Sequence, residues 1–264
     1  MTAHCYAQAG PTCGHGSMTA ADWRRVIDEA AALGTRTVQF IGGEPTLHPD
    51  FAALVGHALD AGLRVRVYSN LYRVRTAHWT LYAHPHVSLA TSYYSDDPDE
   101  HDAITGRAGS HDATRTNILE AVRRGVPLKV AIVDQGDGQR TEQARAELLG
   151  LGAQDVHISR VRAVGNAAAS SAVPSTAELC GRCADGKAAI LPDGRVAVCE
   201  IGRFLSTGNV RTAPLAAVLA SPQWARLTAS IPRARSTGVC EPDCSPNDDT
   251  CQPGANGTCD PADG

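Results

Sequence analysis

Phe40-Ile41-Gly42-Gly43-Glu44-Pro45 is the stretch on which the reading of this chain turns. The apolar run 37–41 is a short strand, and the two glycines end it in a turn where no Cβ stands between backbone and ligand. Glu44 adds a charge there, and Pro45 stiffens the exit. The blander reading is a strand-to-helix turn in which Glu44 has only a capping role.

Working outward, helical and strand patterns alternate from residue 18 to about 165 with little spacer. Trp23, Val26, Ile27, Ala30 and Leu33 form a helical stripe before the strand, with Gly34 as its stop. Phe51, Leu54, Val55, Ala58 and Leu59 mark the next helix, closed by Gly62. Strands follow at 63–68, 87–93, 126–133 and 156–161, with helices at 77–82, 113–124 and 141–149 between them. Five strands alternating with helices imply parallel strands and right-handed crossovers. The pattern leaves an α/β barrel, open or closed, and a doubly wound sheet both standing. In either, chemistry belongs at the C-terminal ends of the strands.

Residues 167–175 are small and polar and read as a linker. Beyond them 188–191 and 195–198 flank Pro192-Asp193-Gly194, a hairpin signal, and 214–219 and 222–231 read as short helices. From Arg233 the chain is rich in Pro, Gly, Asp and Cys, without hydrophobic period, and metal ligation is the expected source of its order.

The composition narrows the function. A net charge of −4 argues against nucleic acid or an anionic membrane as partner. No apolar run approaches the ~18 residues of a membrane span, and no basic-then-apolar start signals secretion, so a cytoplasmic protein is expected. Nine cysteines stand at 5, 13, 180, 183, 199, 240, 244, 251 and 259. Reduced thiols grouped in this way read as metal or iron–sulfur ligands rather than disulfides. The histidines form no HExxH, and none is assigned to a metal; His48, His57, His78 and His84 read as surface or capping residues. Tyr93-Tyr94-Ser95-Asp96-Asp97 ends a strand facing the expected cavity, and Asp96-Asp97-Pro98 is also a helix-start signal.

The glycine turn, with His4-Cys5-Tyr6-Ala7 and Ala9-Gly10-Pro11, resembles the radical S-adenosylmethionine (SAM) enzymes. The resemblance implies that Cys5 is the third thiolate of a CxxxCxxC loop holding a [4Fe–4S] cluster, with His4 at an adenine-contacting position. Gly42, Gly43, Glu44 and Pro45 would then meet the methionyl amino group. Ser69 and Asn70 would lie near the ribose, Ser92 and Arg107 near the methionyl carboxylate, and Gly165 beside adenine. The sequence departs from the family at the loop, where Thr2 holds the second cysteine's place and the first falls before Met1; Cys13 is a substitute at a spacing the family does not use. The expected architecture is thus α/β: a partial (β/α)6 TIM-like barrel lacking its first strand, plus a small cysteine-rich C-terminal domain.

Cys183, ten residues, Gly194, four residues and Cys199 match the opening pattern of SPASM and twitch domains, with Cys180 three residues upstream. Cys240, Cys244, Cys251 and Cys259 resemble the later SPASM cysteines, at unusual spacing. Thiolate sites suit zinc as well as iron–sulfur clusters. The expected domains are a core at 1–166, a linker at 167–179 and an auxiliary domain at 180–264. The resemblance implies an iron–sulfur, SAM-dependent oxidoreductase or maturase acting on a ribosomal peptide or protein side chain, with a reductant such as flavodoxin or ferredoxin. A small-molecule dehydrogenase and a non-catalytic Fe–S or zinc binding protein are the alternatives.

Overall fold

The structure, a computed structural model, describes residues 5–7, 13–136, 138–168 and 174–232. Thr19 opens the first helix, α1 (Ala20–Ala32), with a capping box: its hydroxyl accepts from the Asp22 N–H while the Asp22 carboxylate accepts from the Thr19 N–H. There follow β1 (Thr37–Phe40), α2 (Phe51–Asp60), β2 (Arg64–Tyr68), α3 (Thr76–Tyr82), β3 (Val87–Tyr93), α4 (Pro98–Thr105), α5 (Ser110–Arg123), β4 (Leu128–Asp134), α6 (Thr141–Gly150) and β5 (Asp155–Arg160).

These five strands are parallel and lie in the order β1-β2-β3-β4-β5. That order decides between the two architectures. A doubly wound sheet reverses direction at a switch point; this one never does, so right-handed crossovers gather the helices on one face. The result is a wall of a partial α/β barrel. Val65, Val67, Leu89, Tyr93, Val130 and Ile132 point to the helices and are at most 1% exposed. They pack with Leu54, Val55, Ile118 and Leu148 in one core. The alternate residues Arg66, Tyr68, Ala90, Ser92, Lys129 and Ala131 therefore face the inner side of the wall.

The second sheet is antiparallel and contains the expected hairpin: β6 (Ala189–Ile190), β7 (Arg195–Ala197) and β8 (Ser206–Asn209), followed by α7 (Leu215–Leu219) and α8 (Pro222–Ala229). Its core of Val196, Val198, Val210, Leu215 and Val218 closes on Val26 and Ala30 of α1, whereas the adjacent Ile27 packs into the barrel core. One helix thus supplies apolar surface to both modules. Arg25 Nη2 donates to the Val210 carbonyl at 2.7 Å, and the Leu215 N–H at the start of α7 donates to Glu29 at 2.6 Å.

Helix α4 begins at the Asp96-Asp97-Pro98 start signal, with the Asp97 carboxylate accepting from the Asp99 and Glu100 N–H groups; its one buried side chain is His101, so it carries no apolar stripe. Tyr93 does not face the cavity: it lies on the helix side, its hydroxyl bonded to His111 Nε2 at 2.8 Å and donating to Glu147 at 2.9 Å. Asp96 is held by the Arg140 guanidinium at 2.9 and 2.6 Å.

His101 is 1% exposed, packed edge-on against Tyr93, Tyr94 and His111, and its Nδ1 has no hydrogen-bond partner. Burial, helped by the nearby His111, lowers its pKa to about 4. Unfolded histidine titrates near 6.5, so this group's contribution is intact above pH ~6.5 and is lost as pH falls towards the folded value. The unfolding temperature is therefore expected to drop between pH 6.5 and 4.5, and His101→Phe to flatten that slope. An unchanged slope in thermal melts would show that His101 does not set it.

Candidate functional site

The Glu44 side chain ties together the C-terminal ends of β1 and β2. Its carboxylate accepts from the Thr46 hydroxyl (2.7 Å) and N–H (3.1 Å), from the Ser69 hydroxyl (3.0 Å) and from the Asn70 N–H (2.8 Å). The capping reading of Glu44 is thus correct for Thr46 and incomplete, because the same group also reaches across to the next strand. Gly42 adopts φ +154°, and a Cβ added there would meet no atom within 4 Å. Glycine is needed for the backbone conformation, and the space beside it stays open.

After β2 the chain makes a tight turn whose Leu71 is fully buried in the left-handed region (φ 52°). Such a conformation costs a branched residue roughly 1–2 kcal/mol. Helix α5 holds it there: Thr114 Oγ1 donates to the Asn70 carbonyl at 3.0 Å and Asn117 Nδ2 to the Leu71 carbonyl at 2.7 Å. The sequence reading missed both residues; their polar side chains, three apart on one helical face, were the available signal.

Cys5 lies beyond the C-terminal end of β5. Its carbonyl accepts from the Asn166 N–H at 2.9 Å. Gly165 (φ +60°) packs so closely that a Cβ would lie 2.4 Å from the Cys5 and Tyr6 carbonyl oxygens. Gly165 therefore stands against the backbone of the cysteine loop itself. Tyr6, next along, is half-buried with its hydroxyl enclosed, and that burial, together with the nearby Glu200 carboxylate, pushes its phenol well above the ordinary value. Glu200 belongs to the second module, so this segment runs between the two. Ser92 bonds to the Tyr68 hydroxyl at 3.1 Å and to Tyr94, and the Arg107 guanidinium stacks 3.5 Å over the Tyr72 ring. His4 lies outside the described residues.

In the second module Cys183 and Cys199 are buried, with their sulfurs 3.2 Å apart, and Cys183 also bonds to Cys180. None of the three is disulfide-bonded. The Gly202 N–H donates to Cys199 Sγ at 3.1 Å. Cys199 ionises first: the hydrogen bond it accepts from the Cys183 thiol, above all, holds its thiol below the ordinary range, while donating to Cys180 and Cys199 pushes the Cys183 thiol up. Two sulfurs on one tetrahedral metal stand about 3.8 Å apart, so the pair needs to spread only slightly to ligate one. Among the described residues no three metal-ligating side chains surround a common point; Cys240, Cys244, Cys251 and Cys259 lie outside them. Nor is any described helix long and apolar enough to cross a membrane.

Of the four histidines read as surface or capping residues, His78 is corrected: it is 7% exposed and packs edge-on against Phe51. His48 and His84 do cap, each accepting an N–H two residues on, and His57 pairs with Asp28 at 2.7 Å.

The Gly165 contact makes a prediction. Gly165→Ala introduces both a clash and strain at positive φ, worth more than about 1 kcal/mol, and displaces the Cys5 backbone. Alkylation of Cys5 followed by mass spectrometry is expected to run severalfold faster in the variant; an equal rate would mean that Gly165 does not hold this loop.

Residues 3–142 match the radical SAM superfamily, and residues 180–245 match the SPASM iron–sulfur cluster-binding domain. The chain is 30% identical over 156 residues to a PqqA peptide cyclase of Xanthomonas campestris, covering 56% of this chain and 40% of that one. A PqqA peptide cyclase of Ruegeria pomeroyi is 30% identical over 186 residues, or 66% of this chain and 48% of that one. The chain thus spans less than half the length of these relatives. Among solved structures, Streptococcus suis SuiB bound to its precursor peptide SuiA superposes with a TM-score of 0.70 at 14% identity, over 90% of this chain and 65% of that one. The enzyme anSMEcpe with bound AdoMet gives 0.63 at 10% identity, over 86% and 78%. At such identities these two likenesses establish the fold alone. The superfamily match, by contrast, covers more than half of the sequence, and the chain belongs to the radical SAM superfamily.

Proposed function

We propose that this chain cleaves S-adenosylmethionine reductively and uses the product to modify a side chain of a ribosomally made peptide. The observation that carries the reading is the placement, along the C-terminal ends of the wall's strands, of both the Glu44 tie between β1 and β2 and the Cys5 loop cradled on Gly165 and Asn166 beyond β5. The superfamily match and the peptide cyclases among the relatives support it. On this reading residues 1–166 are the catalytic core, 167–179 a linker and 180–264 the auxiliary domain.

A [4Fe–4S] cluster bound at the core would supply the electron that cleaves SAM, yielding a 5′-deoxyadenosyl radical that removes a substrate hydrogen. The chain's own residues hold and shield. Cys5, with His4 beside it, would face the cluster; Gly42, Gly43 and Pro45 would present backbone to the methionyl amino group. Ser69, Asn70 and Ser92 would bound the remainder of SAM, whereas Arg107, expected beside Ser92, lies over Tyr72 in a cavity that Ser92 does not line. Glu44 acts through others, keeping the β1 and β2 ends at a fixed distance. Cys180, Cys183 and Cys199, with the cysteines at 240–259, would hold auxiliary iron, and their donor chemistry fits: soft thiols in an apolar shell, one of which accepts hydrogen bonds from the Cys183 thiol and the Gly202 N–H. A flavodoxin or ferredoxin is the expected reductant.

At the core, Thr2 stands where such a loop carries its second thiolate. That observation favours a second reading, in which the C-terminal module binds a cluster and the core does not cleave SAM. Anaerobic purification and reconstitution, with iron, sulfide and zinc quantified and dithionite-driven 5′-deoxyadenosine measured, separates the two. The proposal expects iron, sulfide and 5′-deoxyadenosine, and a loss of bound iron in Cys183→Ala/Cys199→Ala. Iron without cleavage would establish the second reading; zinc alone would overturn both.

A further inference from the structure

We infer that the outer rim of the barrel beside Glu44 is a carboxylate-binding site that receives an acidic segment of the peptide substrate, an inference that rests on the peptide reading above. A cavity of about 450 Å³ opens there, lined among others by Arg73, Arg75, Arg107, Tyr72 and His78. That size falls within the ~300–1,000 Å³ of typical ligand sites. Glu44 and Asn70 line it as well, whereas Tyr68, Ser92 and Tyr94, on the inner side of the wall, do not.

Charge is the first argument. In a chain of net charge −4, three arginines converge on one cavity, and none of them forms an ion pair with a carboxylate among the described residues. The acid in the lining is Glu44, whose carboxylate is already committed to Thr46, Ser69 and Asn70. Arg107 is held over Tyr72, which fixes one guanidinium without neutralising it. Guanidinium forks suit carboxylates.

A second, independent feature lies deeper. His78 is buried, and its Nδ1 has no hydrogen-bond partner. Burial first, then the Arg75 charge, lowers its pKa, so the ring is neutral near pH 7. As the Nδ1–H tautomer it has one hydrogen bond left to donate. An unsatisfied buried polar atom is costly, and a bound carboxylate removes that cost. A peptide suits the cavity better than a free anion does, because Leu47 on the same lining is 66% exposed and an extended chain would cover it.

The test is fluorescence anisotropy of a short labelled polyglutamate peptide with the reconstituted full-length chain at low ionic strength. Polyglutamate is expected to bind and polylysine not to, and Arg73→Gln/Arg75→Gln is expected to weaken binding about tenfold. Both arginines are exposed, so the variant folds, and its 5′-deoxyadenosine formation stays at the wild-type level, which separates this inference from the SAM assignment. Equal affinity in the double variant would overturn the site. Inorganic phosphate binding as tightly as the peptide would overturn the peptide as its ligand.

Discussion

The Glu44 carboxylate is the constraint on which the candidate site depends. Parallel strands are joined by backbone hydrogen bonds only within their paired lengths, and the register of β1 with β2 ends at Phe40 and Val67. Beyond that point the chain needs side chains to fix its course. Glu44 supplies the link by accepting from Thr46 on its own segment and from Ser69 and Asn70 on the next. A buckle formed in this way positions the open space at Gly42 and starts the strained turn at Leu71, which α5 then closes from behind. The same side chain also lines the arginine-rich cavity.

A comparable economy governs the join between modules. Helix α1 sends Ile27 into one core and Val26 and Ala30 into the other. Glu29 accepts at the start of α7 and also pairs with Arg25 at 2.8 Å. Tyr6 then lies near Tyr68 of the wall and Glu200 of the second module, so the cysteine loop stands beside both.

The five barrel strands were legible because each is a short apolar run punctuated by glycine, and the hairpin because Pro192-Asp193-Gly194 allows little else. Strand order was not legible, since a local pattern carries no information about which strands pair. Helix α4 escaped because histidine, not an apolar stripe, is what it buries. His78 was misread for the same reason: a lone histidine in a polar segment gives no sign of its burial. The gathering of Cys180, Cys183 and Cys199 followed from spacing around the hairpin. The role of Gly165 did not, because its partner lies 160 residues away in the chain. The arginine-rich rim required the fold as well, since Arg107 meets Arg73 and Arg75 only after β3 and α4 have been packed.

The most direct test of the account is SAM affinity in Glu44→Gln, measured by anaerobic equilibrium dialysis against the wild-type chain. The amide turns an N–H₂ towards either the Thr46 N–H or the Asn70 N–H, opposing donor to donor at a cost of about 1–3 kcal/mol. If the tie between strand ends shapes the site, SAM affinity falls roughly tenfold or more while the circular dichroism spectrum is retained. Unchanged affinity would contradict the claim that this carboxylate organises the binding edge.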